Sequence, residues 1–292
     1  RKDTTETKGD IYGFSFVYSG NFLAKVEVDM FYNSRAQIGI NPFDFSWLLK
    51  ENEEFQSPEA VLVYSPNGVT GMSHIYHNLY GKRLARGEHR DKIRPILINN
   101  WEATFFDFNA DKIEDFAKEA KNLGMELFVL DDGWFGKRNN DDCSLGDWFV
   151  NEDKIKGGLG KLSKEINDMG LQFGLWFEPE MVCPVSELYE KHPDWCIHIP
   201  GRTRSEARMQ LILDLSRDDV CDYIIETLSK VLSSASISYV KWDMNRNMTE
   251  IGSAKLPPER QRELPHRYML GLYRIMEELT TAFPHILFES CS

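Results

Sequence analysis

Two stretches, NLGMELFVLDDGW at 122–134 and DMGLQFGLWFEPE at 168–180, repeat one order of events: a helix end, a glycine, an apolar strand, then a cluster of polar side chains. A chain that alternates helix and strand in this way builds a parallel sheet, because each helix carries the chain back to start the next strand in the same direction. The stripe Ile113, Phe116, Ala117, Ala120 and Leu123 predicts a helix that stops at Gly124, and Leu162, Ile166 and Met169 predict another that stops at Gly170. A third helix is expected from near Ser216, with Asp219 as its capping partner and a stripe of Val220, Ile224, Leu228, Val231 and Leu232.

Six runs read as strands of that sheet: 96–99, 127–130, 173–177, 211–213, 239–243 and 286–288. A closed barrel of βα units has eight strands, so an α/β, TIM-type (β/α)8 barrel, incomplete in this chain by about two units, is expected over 94–292. The alternative, a doubly wound open sheet, normally carries a glycine-rich first turn, and neither GxGxxG nor a Walker motif occurs. Earlier in the chain the pattern differs. From 11 to 65 the runs are short, aromatic and alternating, as in 12–18, 22–31 and 61–64, with turn residues Ser19, Gly20 and Asn21. The expected plan is the C-terminal part of an antiparallel β-sandwich domain at 1–70, a connector at 71–93 and the barrel at 94–292.

Composition removes several classes of partner. A net charge of −12 repels a phosphate backbone, and the densest basic group, from Lys82 to Arg94, is interrupted by Glu88 and Asp91, so no nucleic-acid partner is expected. The apolar runs fall far short of the roughly 18 residues that span a bilayer, so no membrane is expected either. Five cysteines form no CxxC pair, which fits a reducing, cytoplasmic setting better than a disulfide scaffold.

The strand ends carry the chemistry, since parallel βα folds place active sites at the carboxyl ends of their strands. Those ends read Asn100, Trp101 and Glu102; Asp131, Asp132 and Trp134; Glu178 and Glu180; Asp214; Lys241, Asp243 and Asn245; Glu289 and Cys291. Trp101, Trp134, Trp176 and Trp242 all lie beside carboxylates, the combination that stacks a sugar's C–H faces and binds its hydroxyls. In YVKWDMN the strand period puts Lys241, Asp243 and Asn245 on one side. That lysine beside an aspartate is either an activated nucleophile or an ordinary ion pair, and the DDGWFG turn is either a pair of caps or a hydroxyl-binding pair. A magnesium site built from Asp131, Asp132, Glu178 and Asp243 is the main rival. None of the seven histidines stands at a strand's carboxyl end, which disfavours zinc, and no GxSxG elbow exists.

Taken in order, NNWEATFFDF, LFVLDDGWFGKR, SLGDWFVN, GLWFEPEMV, LDLS, YVKWDMNR and FESCS resemble the family 36 glycoside hydrolases, the retaining α-galactosidases of bacteria and fungi. The resemblance covers 94–292, and the stretch before Arg94 looks like the end of that family's N-terminal β-sandwich. It implies release of terminal α-linked galactose from melibiose-like and raffinose-like oligosaccharides by double displacement, with no metal and no cofactor. Asp243 would be the nucleophile. Asp131 and Asp132 would bind the hydroxyls that distinguish galactose, and Trp101 and Trp176 would wall the sugar pocket. Arg208 and Lys241 would contact the nucleophile or the sugar, Asn245 would hold the hydroxyl next to the anomeric carbon, and Cys291 would line the pocket. The family's acid/base aspartate is expected beyond the FESCS strand, and Glu289 does not correspond to it. The resemblance also implies a homo-oligomer, a tetramer in many members. A galactosyltransferase or α-N-acetylgalactosaminidase on the same scaffold, or a sugar-binding protein without catalysis, are the alternatives.

Overall fold

The structure, a computed structural model, describes residues 2–291. It divides into two compact units, the first running to Asp91 and including Pro257–Met269, the second comprising Lys92–Leu256 and the residues from Leu270 onward.

The first unit holds two separate antiparallel ribbons. One pairs β1 (Ile11–Val17) with β4 (Glu59–Ser65), and the other pairs β2 (Phe22–Val28) with β3 (Ser34–Ile40). The β2–β3 turn is shaped by Asp29, whose Oδ1 accepts from the backbone N–H groups of Phe31 and Asn33. Helix α1 (Gly68–Leu79) follows β4. Within this unit Trp47, Phe55 and Phe45 surround the His266 ring, whose Nδ1 lies 3.0 Å from the Tyr18 hydroxyl. Burial there pushes His266 below its usual value.

The second unit is built on one parallel sheet whose strands follow each other in chain order: β5 (Leu97–Asn99), β6 (Leu127–Leu130), β7 (Gln172–Phe177), β10 (Tyr239–Asp243) and β11 (Leu287–Cys291). It curls as a half-barrel. Between its strands run α2 (Trp101–Thr104), α3 (Ala110–Asn122), α4 (Gly158–Asp168), α5 (Glu187–Lys191), α6 (Asp218–Ser233) and α7 (Leu264–Ala282). β6 is buried along its whole length and β7 along all but its first residue, as strands covered on both faces must be.

The repeated unit closes identically in both copies. After α3 the N–H groups of Gly124 and Met125 donate to the carbonyls of Lys121 and Ala120; after α4 those of Gly170 and Leu171 donate to Asn167 and Ile166. Both glycines take φ above +80°, the left-handed cap conformation that side chains disfavour.

Two expectations are corrected. The sheet has five strands among the described residues, because the 211–213 run does not join it. Instead β9 (Leu211–Ile212) pairs antiparallel with β8 (Met181–Val182) in a small ribbon beyond the end of β7. The third helix starts at Asp218 after a loop and has no side-chain cap; Ser216 donates to Asp214, and Asp219 pairs with Arg217.

Candidate active site

Strand register sorts the second unit's interior into layers. Val129 lies opposite Gly174, and Gly174 opposite Tyr239, so these positions share one face of the sheet. Leu127, Val129 and Tyr239 form an apolar cluster on that face, with Leu287 packed against it. Two residues further along each strand the same face carries Asp131, Trp176 and Lys241, and then Glu178 and Asp243. An apolar layer therefore supports a polar one at the carboxyl ends of the strands. There a cavity of about 500 Å³, counting space open to solvent, is lined by Trp101, Asp131, Asp132, Trp176, Lys241 and Asp243, with Glu178, Gln210, Arg138, Asp141, Arg208 and Asn245 completing it.

Asp243 is held from three sides. Its Oδ2 accepts from Trp176 Nε1 at 3.0 Å and Asn245 Nδ2 at 2.8 Å, and its Oδ1 accepts from the Met244 N–H at 3.1 Å. Three donors on two oxygens hold the carboxylate plane.

Across the cavity, Asp131 Oδ1 accepts from the Asp132 N–H and Oδ2 from Lys241 Nζ at 3.1 Å, and the Asp131 N–H donates to the buried Asn100 side chain. Burial works against the Lys241 ammonium, but Asp131 and Asp243 outweigh it and hold its pKa above the usual lysine value. Asp132 meets Arg138 in a bidentate fork, Nε to Oδ1 at 3.0 Å and Nη2 to Oδ2 at 2.9 Å. Burial pushes the Asp132 carboxyl up and the fork offsets only part of that rise; the same fork holds the Arg138 guanidinium above its ordinary range against its own burial. Glu178 differs. Its Oε1 accepts from the Asn245 N–H at 2.6 Å and its Oε2 from Gln210 Nε2 at 2.9 Å, and burial with only neutral donors pushes its pKa to about 7.

Residues 54–292 match the family model for the melibiases, and residues 1–50 that for the glycosyl hydrolase family 36 N-terminal domain. The chain belongs to glycosyl hydrolase family 36. It is 67% identical over its full length to α-galactosidase AgaA of Geobacillus stearothermophilus, and superposes on the crystal structure of that enzyme with a TM-score of 0.98. Over 99% of the chain it is 51% identical to α-galactosidase 1 of Pediococcus pentosaceus. The crystal structure of the α-galactosidase from Lactobacillus brevis, 48% identical, also superposes at 0.98. The chain spans about 40% of the length of these relatives.

In this family 36 chain the cavity gathers Trp101, Asp131, Asp132, Trp176, Arg208, Lys241, Asp243 and Asn245, all expected from sequence. Cys291 is not among the lining residues. It faces Asp243 across the β10–β11 ladder, and burial together with the Asp243 charge pushes its thiol up. Lys241 pairs directly with Asp131 rather than with Asp243. Trp134 and Trp242 do not line the cavity; their Nε1 groups donate to the Trp176 carbonyl and to Glu180 respectively. Asp214 is a loop anchor, accepting from Ser216 and Ser253. The carboxylates of the magnesium alternative are engaged by Arg138, Lys241 and Asn245, and no group of three or more metal-type ligands converges among the described residues.

Sequence reasoning missed Arg138, Asp141 and Gln210 as site residues. Arg138 had a signal, standing six residues after an aspartate pair. Gln210 had none, because a hairpin turn delivers it. Ala207 and Gln210 form an antiparallel bridge, with Arg208 and Met209 at φ +54° and +58° between them. This is the geometry of a two-residue hairpin turn normally built from glycine or asparagine. It holds Arg208 at the cavity.

Among the described residues no helix is long and apolar enough to cross a membrane.

Proposed function

We propose that the whole protein hydrolyses terminal α-galactosidic bonds of raffinose-type and melibiose-type oligosaccharides, with retention, using Asp243 as the nucleophile. The observation that carries this reading is the placement of Asp243 within the cavity, held by Trp176, Asn245 and the Met244 N–H. A retaining glycosidase needs one carboxylate fixed for in-line attack on the anomeric carbon, and this one is fixed by three donors. Support also comes from the relatives, which are named α-galactosidases, and from crystal structures of AgaA variants in complex with raffinose and with stachyose.

In this reading Asp131 and Asp132 accept hydrogen bonds from galactose hydroxyls at one side of the ring. Lys241 bridges the two halves of the site, contacting Asp131 and lying in the field of Asp243. Trp101, whose ring is held edge-on by Phe105 and Phe106, supplies an apolar wall. Asn245 orients the nucleophile directly, and Arg208 closes the rim. The second carboxyl of a double displacement is assigned to no residue of this chain. A cytoplasmic homo-oligomer is part of the proposal, to be read by light scattering on the full-length protein.

The test is covalent trapping. Full-length enzyme is incubated with an activated 2-fluoro-galactoside and the labelled peptide is mapped by mass spectrometry. The label is expected on Asp243. Turnover of an aryl α-galactoside without a label at Asp243 would mean that this carboxylate has another task.

A further inference from the structure

We propose that Arg138 is a positioning residue for sugar recognition, fixing the Asp132 carboxylate as a hydrogen-bond acceptor for a substrate hydroxyl. The inference rests on the galactoside reading above.

The Arg138 side chain is itself engaged on every side. Nε and Nη2 grip Asp132, Nη1 donates to the Cys143 carbonyl at 2.9 Å, and the guanidinium carbon lies 5.6 Å from the centre of the Phe106 ring. It is 1% exposed, so it acts on a ligand through Asp132 rather than as a free cation. Its backbone is fixed as well. Lys154 Nζ donates to the carbonyls of Arg138, Gly133 and Phe106 at 3.0, 3.1 and 2.9 Å, tying both ends of the turn after Asp132 to the segment that follows α2.

A buried ion pair of this kind is poor evidence for stability, because desolvation offsets most of the attraction. Its orientation is what the site gains. Arg138 occupies one lone-pair direction on each Asp132 oxygen and the Gly133 N–H adds a further bond, which leaves one direction for a hydroxyl. Without the guanidinium, Asp132 keeps its burial and the adjacent Asp131 charge, both of which favour the protonated form. A protonated carboxyl offers a donor where the hydroxyl needs an acceptor.

The experiment is a double-mutant cycle in the full-length enzyme, using R138K, R138M, D132N and the paired variants on an aryl α-galactoside, at a temperature where melting curves show each variant folded. R138M is expected to lower kcat/KM about 10- to 100-fold, mostly through KM, as for loss of a charged hydrogen bond. R138K, which keeps charge but not the fork, is expected to fall between R138M and wild type. In the D132N background the same Arg138 change is expected to cost less than about threefold. Effects that multiply in the double variant, or Arg138 variants with unchanged KM and only a lower melting temperature, overturn the proposal. If R138M does not fold, R138K and its D132N pair decide the same question. A wild-type enzyme that leaves the galactoside uncleaved overturns instead the functional reading on which this rests.

Discussion

The two copies of the helix–glycine–strand unit end in buried carboxylates that keep different partners. Both copies close with the same backbone cap, and both strands deliver acidic residues to one cavity. After β6, Asp132 faces a guanidinium that opposes its burial; after β7, Glu178 faces only an N–H and an amide, and its pKa rises to about 7. Scaffold and depth are alike, so the difference lies in the partners. Burial leads at both carboxylates and pushes both up; at Asp132 a charged donor opposes it, at Glu178 only neutral donors do. The same local plan thus gives two buried acids, one with a charged partner and one without.

The comparison can be broken at several points. Asp243 sets the floor, since both strand ends serve it, and Asp243→Asn is expected to lower kcat by at least about 10⁴-fold in a turnover assay of the full-length enzyme. Retention of more than a few per cent activity would remove Asp243 from the mechanism and leave the two ends without a common purpose.

At the β6 end, Asp132→Asn is expected to lower kcat/KM about 100-fold and to destabilise the fold by about 3 kcal/mol, because Arg138 is left buried without its counter-charge. At the β7 end, Glu178→Gln keeps an oxygen for the Asn245 N–H and is expected to hold kcat within about tenfold of wild type. A fall of 10² or more that added azide restores would instead make Glu178 the general acid.

The β7 carboxylate also sets a response to pH. Glu178 titrates higher in the folded protein than in the unfolded chain, so its protonated form is the stabilised one. Its contribution is complete below the unfolded value near 4.5 and is lost as pH rises toward about 7. The loss is on the order of 3 kcal/mol by linkage. Denaturant melts between pH 5 and 8 are therefore expected to show wild type losing stability relative to Glu178→Gln. Parallel curves for the two proteins would place the titrating group elsewhere.

The smallest effect is expected at the turn that carries Arg208 and Gln210. Met209, exposed and at φ +58°, carries strain that Met209→Gly relieves, stabilising the protein by about 1 kcal/mol with kcat unchanged. A loss of stability there would mean that the Met209 side chain packs in a way its exposure does not suggest.

Much of this arrangement is legible in the sequence because it depends on neighbours in the chain. The apolar stripe ending at Gly124 or Gly170 requires a cap and a following strand, and the alternation in YVKWDMN puts Lys241 and Asp243 on one face. The resemblance extended that to the site, and eight of its nine expected residues meet in one cavity. What local pattern could not separate was Trp101 and Trp176 from Trp134 and Trp242, since all four stand beside carboxylates and only packing decides which ring lines the cavity. Nor could it tell a barrel strand from a ribbon strand at Leu211–Ile212, where two apolar residues suit either.

By itself, then, the sequence determined three helices and the five sheet strands of the second unit, their order, and which carboxylates reach the ends of those strands, because periodicity and capping act over a few residues. Only the tertiary structure decided that Lys241 belongs to Asp131, that Arg138 grips Asp132, and that Glu178 meets amides alone. Those pairings join residues from different strands and loops, and the charge state of a buried acid follows from which donor arrives beside it.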